Sequence, residues 1–133
     1  MEYMLDTNIC IALIKRKSPR VLLHLQSRSV GDIGISTITL AELRYGVEKS
    51  LMADQNRRAL EGFLLPLEIA DFNESAASAC GKVRAALEMA GKPIGPLDTQ
   101  IGAHALSLDT VLVTNNTKEF KRIKGLKVAD WTD

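Results

Sequence analysis

Short apolar segments alternate with segments of helical periodicity along the chain, and this alternation constrains the fold more than any other feature of the sequence. Strands are predicted at 3–5, 33–36, 67–70 and 111–113, with a short fifth at 127–129. Between them, apolar residues recur at helical spacing. Strands joined by helices run parallel and are covered on both faces. The sequence therefore predicts an α/β fold with a central, mostly parallel sheet of four to five strands.

Capping residues, prolines and one glycine set the predicted helix ends. The helices are predicted to start, in chain order, at Thr7 or Asn8, Pro19, Thr37 or Thr39, Asp54, Asn73 and Pro96. Gly91 is predicted to end the long helix that Asn73 begins. Tyr45 and Trp131 are predicted to be packing residues. His104 is expected to be a packed or surface helix residue rather than a catalytic base.

Length and composition are typical of one compact domain. The 133 residues, 46% of them hydrophobic, bury enough apolar surface for a single domain over 1–133 without disulfides. Cys10 and Cys80 form no CxxC pair, so we expect buried free thiols in a reducing compartment. The sequence has no secretory leader pattern and no apolar run of about 20 residues. We therefore expect a cytoplasmic protein that does not enter the membrane.

Polar residues follow the predicted strands at the positions where parallel sheets form their sites. Asp6 follows the first strand directly, and Glu42 lies in the helix after the second. Asp98 lies near the start of a helix, and Asn116 and Glu119 follow the fourth strand. Sites in such sheets form beyond the carboxyl ends of the strands. We therefore expect these side chains to meet at one edge.

Each acid also has an ordinary structural interpretation. Asp6 is a possible helix cap, although Thr7 and Asn8 are equally competent. Asp98, in the first turn of its helix, interacts favourably with the helix dipole. Glu119 is a possible solvated residue in a basic stretch. These interpretations stay open for each residue taken alone.

Glu42 lies close to the apolar stripe formed by Leu40, Leu43 and Val47. A buried carboxylate needs a cation, a hydrogen bond or a raised pKa. A surface salt bridge from Glu42 to Arg44 or Lys49 is the structural alternative to a functional role.

Several acids that converge on one sheet edge would repel one another strongly unless a divalent cation neutralised them. Oxygen ligands alone favour Mg²⁺ or Mn²⁺ over zinc. Such an ion lowers the pKa of a bound water and stabilises the leaving oxygen of an in-line attack on a phosphodiester. The acid cluster thus predicts metal-dependent hydrolysis without a protein nucleophile.

Four blocks of sequence contain these polar residues: 4–8 (MLDTN), 41–46 (AELRYG), 95–105 (GPLDTQIGAHA) and 112–120 (LVTNNTKEF). Taken together, in this order and at these separations, they resemble the signature of the PIN domain. More narrowly, the chain resembles the VapC toxins of bacterial toxin–antitoxin pairs. The resemblance spans nearly the whole sequence.

The resemblance implies a three-layer α/β/α PIN-like domain with Mg²⁺- or Mn²⁺-dependent endoribonuclease activity. The products would carry 5′-phosphate and 3′-hydroxyl ends. Asp6, Glu42 and Asp98 would be the core acids, with Asp6 and Asp98 as metal ligands. The resemblance also implies a homodimer, inhibited by a cognate VapB-type antitoxin. Exposed parts of the helices that carry Leu43 and Leu60 are candidates for the dimer surface, although core packing explains both residues equally well.

Four further residues are expected beside the core acids. By the same resemblance, Thr114 would orient a water or a metal-bound carboxylate, and Asn8 would support the site. Many PIN domains have a fourth acid where this chain has Asn116, a neutral ligand. A second metal would then bind weakly or only with RNA phosphates present. Glu119 is expected to supply the missing charge and to act in catalysis.

Contacts to the RNA substrate are harder to predict from sequence. The net charge is only +1, so bulk electrostatics do not indicate a nucleic-acid binder. Two basic clusters, at 15–20 and 118–127, are either solvated faces or phosphate contacts on the two sides of the cut. Aromatic residues make up 5% of the chain, which argues against a stacking platform and favours docking on a structured RNA such as a tRNA.

Two other functions compete with the nuclease. A non-catalytic interaction module would keep the fold but lose productive metal binding. Asn116 favours this alternative, while the intact Asp6, Glu42 and Asp98 argue against it. A phosphohydrolase acting on a small phosphorylated substrate would need a closed pocket and a phosphate-binding glycine loop, and the sequence shows no such loop.

Overall fold

The computed structural model describes residues 1–29 and 31–132. It contains one sheet of parallel strands in the order β3-β2-β1-β4-β5. The strands are β1 (Tyr3–Leu5), β2 (Ile33–Ser36), β3 (Glu68–Ala70), β4 (Val111–Val113) and β5 (Val128–Ala129). The predicted α/β class and parallel sheet are confirmed, and the fifth strand is formed.

Helices cover both faces of this sheet. They are α1 (Thr7–Ile14), α2 (Pro19–Gln26), α3 (Thr37–Glu48), α4 (Ala53–Leu64), α5 (Glu74–Met89), α6 (Pro96–Ser107) and α7 (Thr117–Phe120). The first four pack on one face, and the last three pack on the other. This arrangement is the expected three-layer α/β/α architecture. Within the described ranges, no helix is both long and apolar enough to cross a bilayer.

The central strand explains why the strands are apolar without alternation. Met4 and Leu5 of β1 are both fully buried, yet they belong to different cores. Leu5 packs with the core of α1–α4, and Met4 packs with the core of α5–α7. In β4, Leu112 and Val113 divide between the two cores in the same way. A strand buried on both faces has no position for a polar residue until it reaches the sheet edge.

Two strand-to-helix junctions, before α1 and before α3, are each capped by a polar side chain. Asp6, rather than Thr7 or Asn8, caps α1, with its Oδ1 accepting the amide of Ile9 at 2.9 Å. Ser36 caps α3, with its Oγ accepting the amide of Ile38 at 3.0 Å. Both caps have extended backbone, so the chain passes from strand to helix within one residue. The predicted cap of α1 was wrong, because that helix begins at the strand end without an intervening loop. The predicted start of α3 at Thr37 is confirmed.

The other element ends agree closely with the sequence. Asn73 caps α5, accepting the amide of Ala76 at 3.0 Å, and Gly91 follows that helix with φ of +69°. The short helix α7 was not predicted. Cys10 is buried and Cys80 is half-buried, and both are free thiols. Trp131 is buried as expected, but the prediction for Tyr45 was wrong, since its side chain is 65% exposed.

Gly34 lies in β2, paired with Met4 of β1 on one side and with Glu68 of β3 on the other. A Cβ atom at this position would overlap the backbone carbonyl oxygen of Glu68 and the sulfur of Met1. The Met1 side chain can move, but the carbonyl belongs to a hydrogen-bonded strand. Only glycine therefore allows the β2–β3 pairing as it stands.

We predict that Gly34→Ala lowers the free energy of unfolding by about 1–3 kcal/mol, because β3 must shift to admit the methyl group. Gly81→Ala, in the middle of α5 where a Cβ meets nothing within 4 Å, serves as the control. Alanine should stabilise that helix by about 0.5–1 kcal/mol. Urea unfolding measures both changes. Equal stability of Gly34→Ala and the unsubstituted chain would contradict the prediction.

Candidate active site

Asp6 occupies the centre of the carboxyl edge of the sheet. Its amide donates to the carbonyl of Val113 at 3.0 Å, which continues the β1–β4 pairing, and its side chain caps α1. The residue is only 4% exposed. Burial raises the pKa of Asp6, and the charge of Glu42 adds to this, while hydrogen bonds from Thr114 and Ile9 oppose it. The carboxylate is thus both a helix cap and part of an acidic cluster.

Glu42 binds Thr7, and its charge acts on Asp6, whereas the two cations considered above have other contacts. The hydroxyl of Thr7 donates to Oε1 of Glu42 at 2.7 Å. Arg44 instead pairs with Glu61. The ammonium group of Lys49 lies 4.8 Å from the centroid of the Tyr45 ring. Thr7 was predicted only as a possible cap, but it orients Glu42, an acid of the cluster. In the sequence, only its position next to Asp6 indicated a role in the site.

Asp98 lies half-buried in the first turn of α6. Its pKa is raised to about 6, first by burial and then by the negative charges of Glu119, Asp6 and Glu42. The four carboxylates come from four separate parts of the chain. The expected convergence of acids at this edge is therefore present, and the position of Asp98 near a helix N-terminus does not offset the repulsion.

Asn116 and Glu119 lie together at the start of α7. The side-chain amide of Asn116 donates to Oε2 of Glu119, and the backbone amide of Asn116 donates to the Thr114 hydroxyl at 2.9 Å. Thr114, fully buried at the end of β4, also hydrogen-bonds to Asp6. Asn116 thus holds the carboxylate of Glu119, whose charge acts on Asp98.

Asn8 is exposed at the start of α1. It lines a groove of about 510 Å³ between α1, α3 and α4, together with Thr7, Glu42 and Lys15. Asn8 therefore lies beside the acids, on a surface that is open to solvent.

His104 lies behind the site and is buried. Of the two expected positions, packed or on the surface, it therefore has the packed one. Its Nδ1 lies 2.8 Å from the hydroxyl oxygen of Ser36. Burial lowers the pKa of His104. A hydrogen bond to the backbone of Asp71 and the negative charge of Asp71 act in the opposite direction but are weaker. A neutral ring then accepts the Ser36 proton at Nδ1. This contact joins α6, which carries Asp98, to the cap of α3, which carries Glu42.

The donor atoms of the cluster suit a hard divalent cation. Carboxylate, amide and hydroxyl oxygens converge, and Cys10, the nearest thiol, is buried within α1. Among residues 1–29 and 31–132, no three carboxylate, imidazole or thiol side chains lie close enough to enclose an ion directly. Mg²⁺ keeps several waters and needs only one or two protein carboxylates. Burial and the charges of three neighbouring acids raise the pKa of Asp98, and a cation bound there would favour its ionised form.

Comparison with known proteins agrees with this geometry. The family model described as PIN domain matches residues 3–126. The tRNA(fMet)-specific endonuclease VapC of Shigella flexneri is 43% identical over 132 residues, which cover 99% of each chain.

Two solved structures of VapBC complexes have the same fold. DNA-bound VapBC from Salmonella typhimurium has a TM-score of 0.94 at 44% identity, covering 98% of each chain. VapBC2 from Rickettsia felis, bound to a DNA fragment from its promoter, has a TM-score of 0.90 at 42% identity, covering 98% of this chain and 99% of that one. The chain belongs to the PIN-domain family, and within that family to the VapC group.

Proposed function

We propose that this protein is a metal-dependent endoribonuclease toxin that hydrolyses RNA phosphodiesters with a metal-activated water. The observation that carries the proposal is the position of Asp98 near three other acids: burial, and then the negative charges of Glu119, Asp6 and Glu42, raise its pKa to about 6. Structural ion pairs do not explain a cluster of like charges. A nuclease that binds Mg²⁺ or Mn²⁺ does explain it.

Asp6 and Asp98 would hold the ion, since Asp6 directly follows β1, Asp98 lies in the first turn of α6, and the charge of Asp6 acts on Asp98. A bound Mg²⁺ or Mn²⁺ supplies an activated water and neutralises charge on the scissile phosphate. Glu42 has Oε1 engaged by Thr7, which leaves Oε2 to accept a proton from that water. The products would carry 5′-phosphate and 3′-hydroxyl ends.

Supporting residues would fix these acids and complete the charge. Thr114 would orient the Asp6 carboxylate, and Asn116 would orient Glu119. Glu119 would supply the negative charge that Asn116 lacks, so a second ion would bind mainly with RNA phosphate present. Asn8, exposed beside Glu42, would contact the substrate near the cut.

The substrate and protein partners follow from the relatives. Relatives at 43–44% identity are named tRNA(fMet)-specific endonucleases, and we propose a tRNA as the substrate. The neighbouring structures are VapBC complexes, so a VapB-type antitoxin would hold the enzyme inactive. We also propose a homodimer. Leu43 and Leu60 are buried in the core and do not form its surface, whereas Tyr45, Leu51 and Met52 expose apolar side chains nearby.

The two competing functions have less support. A phosphohydrolase for small molecules would enclose its substrate, but Asn8 and Asn116 are exposed beside the acids. An interaction module would have no need for the repulsion around Asp98. The nuclease is the function that uses both the charge cluster and the open surface.

We predict that antitoxin-free protein cuts tRNA with Mg²⁺ or Mn²⁺ and not with chelator. Asp6→Asn and Asp98→Asn should each lower the cleavage rate by at least about a hundredfold, because each loses an anionic ligand. Asparagine also caps helices, so Asp6→Asn should keep α1 intact. Sequencing the ends of the fragments that the protein produces from total cellular RNA would identify the target.

Asp109→Asn is the matched control for this experiment. Asp109 is exposed, pairs with Lys127 at 3.0 Å and precedes β4, at the opposite edge of the sheet. Its replacement should leave cleavage unchanged. Folded protein that binds no divalent ion and cuts no RNA would refute the nuclease and favour the interaction module.

We predict a pH-dependent stability difference between the unsubstituted chain and Asp98→Asn. The pKa of Asp98 is about 6 in the folded chain, above its ordinary 3.8, so the folded state binds more protons between these values. The free energy of unfolding therefore falls as pH rises from about 4 to about 6, and the neutral amide of the variant escapes this loss. In chelator, the Tm of Asp98→Asn should increasingly exceed that of the unsubstituted chain across this range.

Calorimetry with and without Mg²⁺ would complete the measurement. At pH 7, Mg²⁺ should raise the Tm of the unsubstituted chain more than that of Asp98→Asn, because the ion binds only the folded state. A Tm difference independent of both pH and Mg²⁺ would contradict the assignment of Asp98 as a ligand.

A further inference from the structure

A groove on the α5–α7 side of the domain collects basic side chains from distant parts of the sequence. Its volume is about 720 Å³, and its floor contains Val83, Leu87 and Ile123. Six cations line it: Lys82, Lys92, Lys118, Lys121, Arg122 and Lys124. We call this feature the lysine groove. The sequence indicated the four cations at 118–124, and the fold adds Lys82 and Lys92 to them.

The cations of the lysine groove lie close together without carboxylate partners. Within the described ranges, none of the six forms an ion pair. Arg44, Arg57, Arg84 and Lys127, all outside the groove, each pair with a carboxylate. Six unneutralised charges in one groove are unexpected in a chain whose net charge is only +1. A groove lined by charge of one sign attracts ligands of the opposite sign, here anions.

The lysine groove borders the acid cluster through α7. This helix contains Glu119, whose negative charge contributes to the raised pKa of Asp98, and Lys118, which lines the groove. The guanidinium of Arg122 donates to the carbonyl of Pro93 at 3.1 Å, just before α6 begins. A polymer cut beside Asp98 would therefore pass directly from the acids onto the groove.

The other basic cluster, at 15–20, does not form a comparable surface. Lys15 lines the groove beside Glu42, Arg16 lies between α1, α2 and α4, and Arg20 lies beside His24. Its charges thus face three separate surfaces. The expectation that two clusters act on the two sides of the cut is not supported for this one.

We propose that the lysine groove binds the sugar–phosphate backbone of the RNA substrate on one side of the scissile phosphate. This inference rests on the proposed nuclease function. Among the described residues, no aromatic side chain lines the groove, so binding is to phosphates rather than to stacked bases. An acidic antitoxin segment is the competing occupant. RNA is favoured because the groove continues from the acids, where the scissile phosphate must lie.

Binding of a fluorescein-labelled initiator tRNA transcript to the full, antitoxin-free chain tests this proposal. The assay contains chelator, so that the RNA stays intact, and covers a series of KCl concentrations. The groove variant is Lys82→Gln/Lys121→Gln, which removes one charge from each wall. The control is Lys17→Gln/Lys127→Gln, which has the same net charge and lies outside the groove.

The groove variant should bind the tRNA roughly tenfold more weakly, and its log–log salt slope should fall by about 1.4–1.8 as two phosphate contacts are lost. The control should retain the original slope. Equal weakening by both variants would overturn the proposal, because it would show an effect of net charge alone. Retained tRNA affinity in the groove variant, with weaker binding of a purified VapB-type antitoxin, would overturn it in favour of the acidic segment. If the unsubstituted chain binds no tRNA at any salt concentration, the proposed function itself fails.

Discussion

Asp6 and Ser36 each stand where a buried strand meets the helix that follows it, and each accepts an amide of that helix with its side chain. The rest of the site depends on these two junctions. Because no loop separates each strand from its helix, the carboxylate of Asp6 is fixed relative to β1, and Glu42 is fixed relative to β2 through α3. Thr7 then joins the two helices by donating to Glu42. The geometry at the sheet edge is thus set by backbone hydrogen bonding rather than by a flexible loop.

This rigidity explains how the chain tolerates repulsion among its acids. Burial and three neighbouring negative charges raise the pKa of Asp98, and Asp6 is held almost without exposure. Two apolar cores, one on each face of the sheet, hold the elements in place from behind. Under the proposed function, the free energy lost to repulsion would be recovered when a cation and a phosphate group bind together, which would link stability in the absence of ligand to binding.

The sequence predicted the elements that depend on local pattern and missed those that depend on tertiary contacts. Strands buried on both faces are visible as apolar runs, and the rule for parallel sheets places Asp6, Asp98 and Glu119 at one edge. Choosing the cap of α1 needed the backbone angles, since aspartate, threonine and asparagine all cap helices well. The four-residue α7 is too short to show periodicity. Lys82 and Lys92 were missed because only the packing of α5 against α6 and α7 brings them beside Lys121.

His104 illustrates how a buried polar contact couples the two halves of the site. The hydroxyl of Ser36 already accepts the amide of Ile38, so its proton is free for Nδ1 of His104. Nδ1 can accept that proton only while the ring is neutral, and burial favours the neutral ring. The imidazole therefore ties the helix of Asp98 to the helix of Glu42 without adding a charge behind the acids. A lysine or arginine here would neutralise the cluster from within, and the field that a divalent cation requires would be lost.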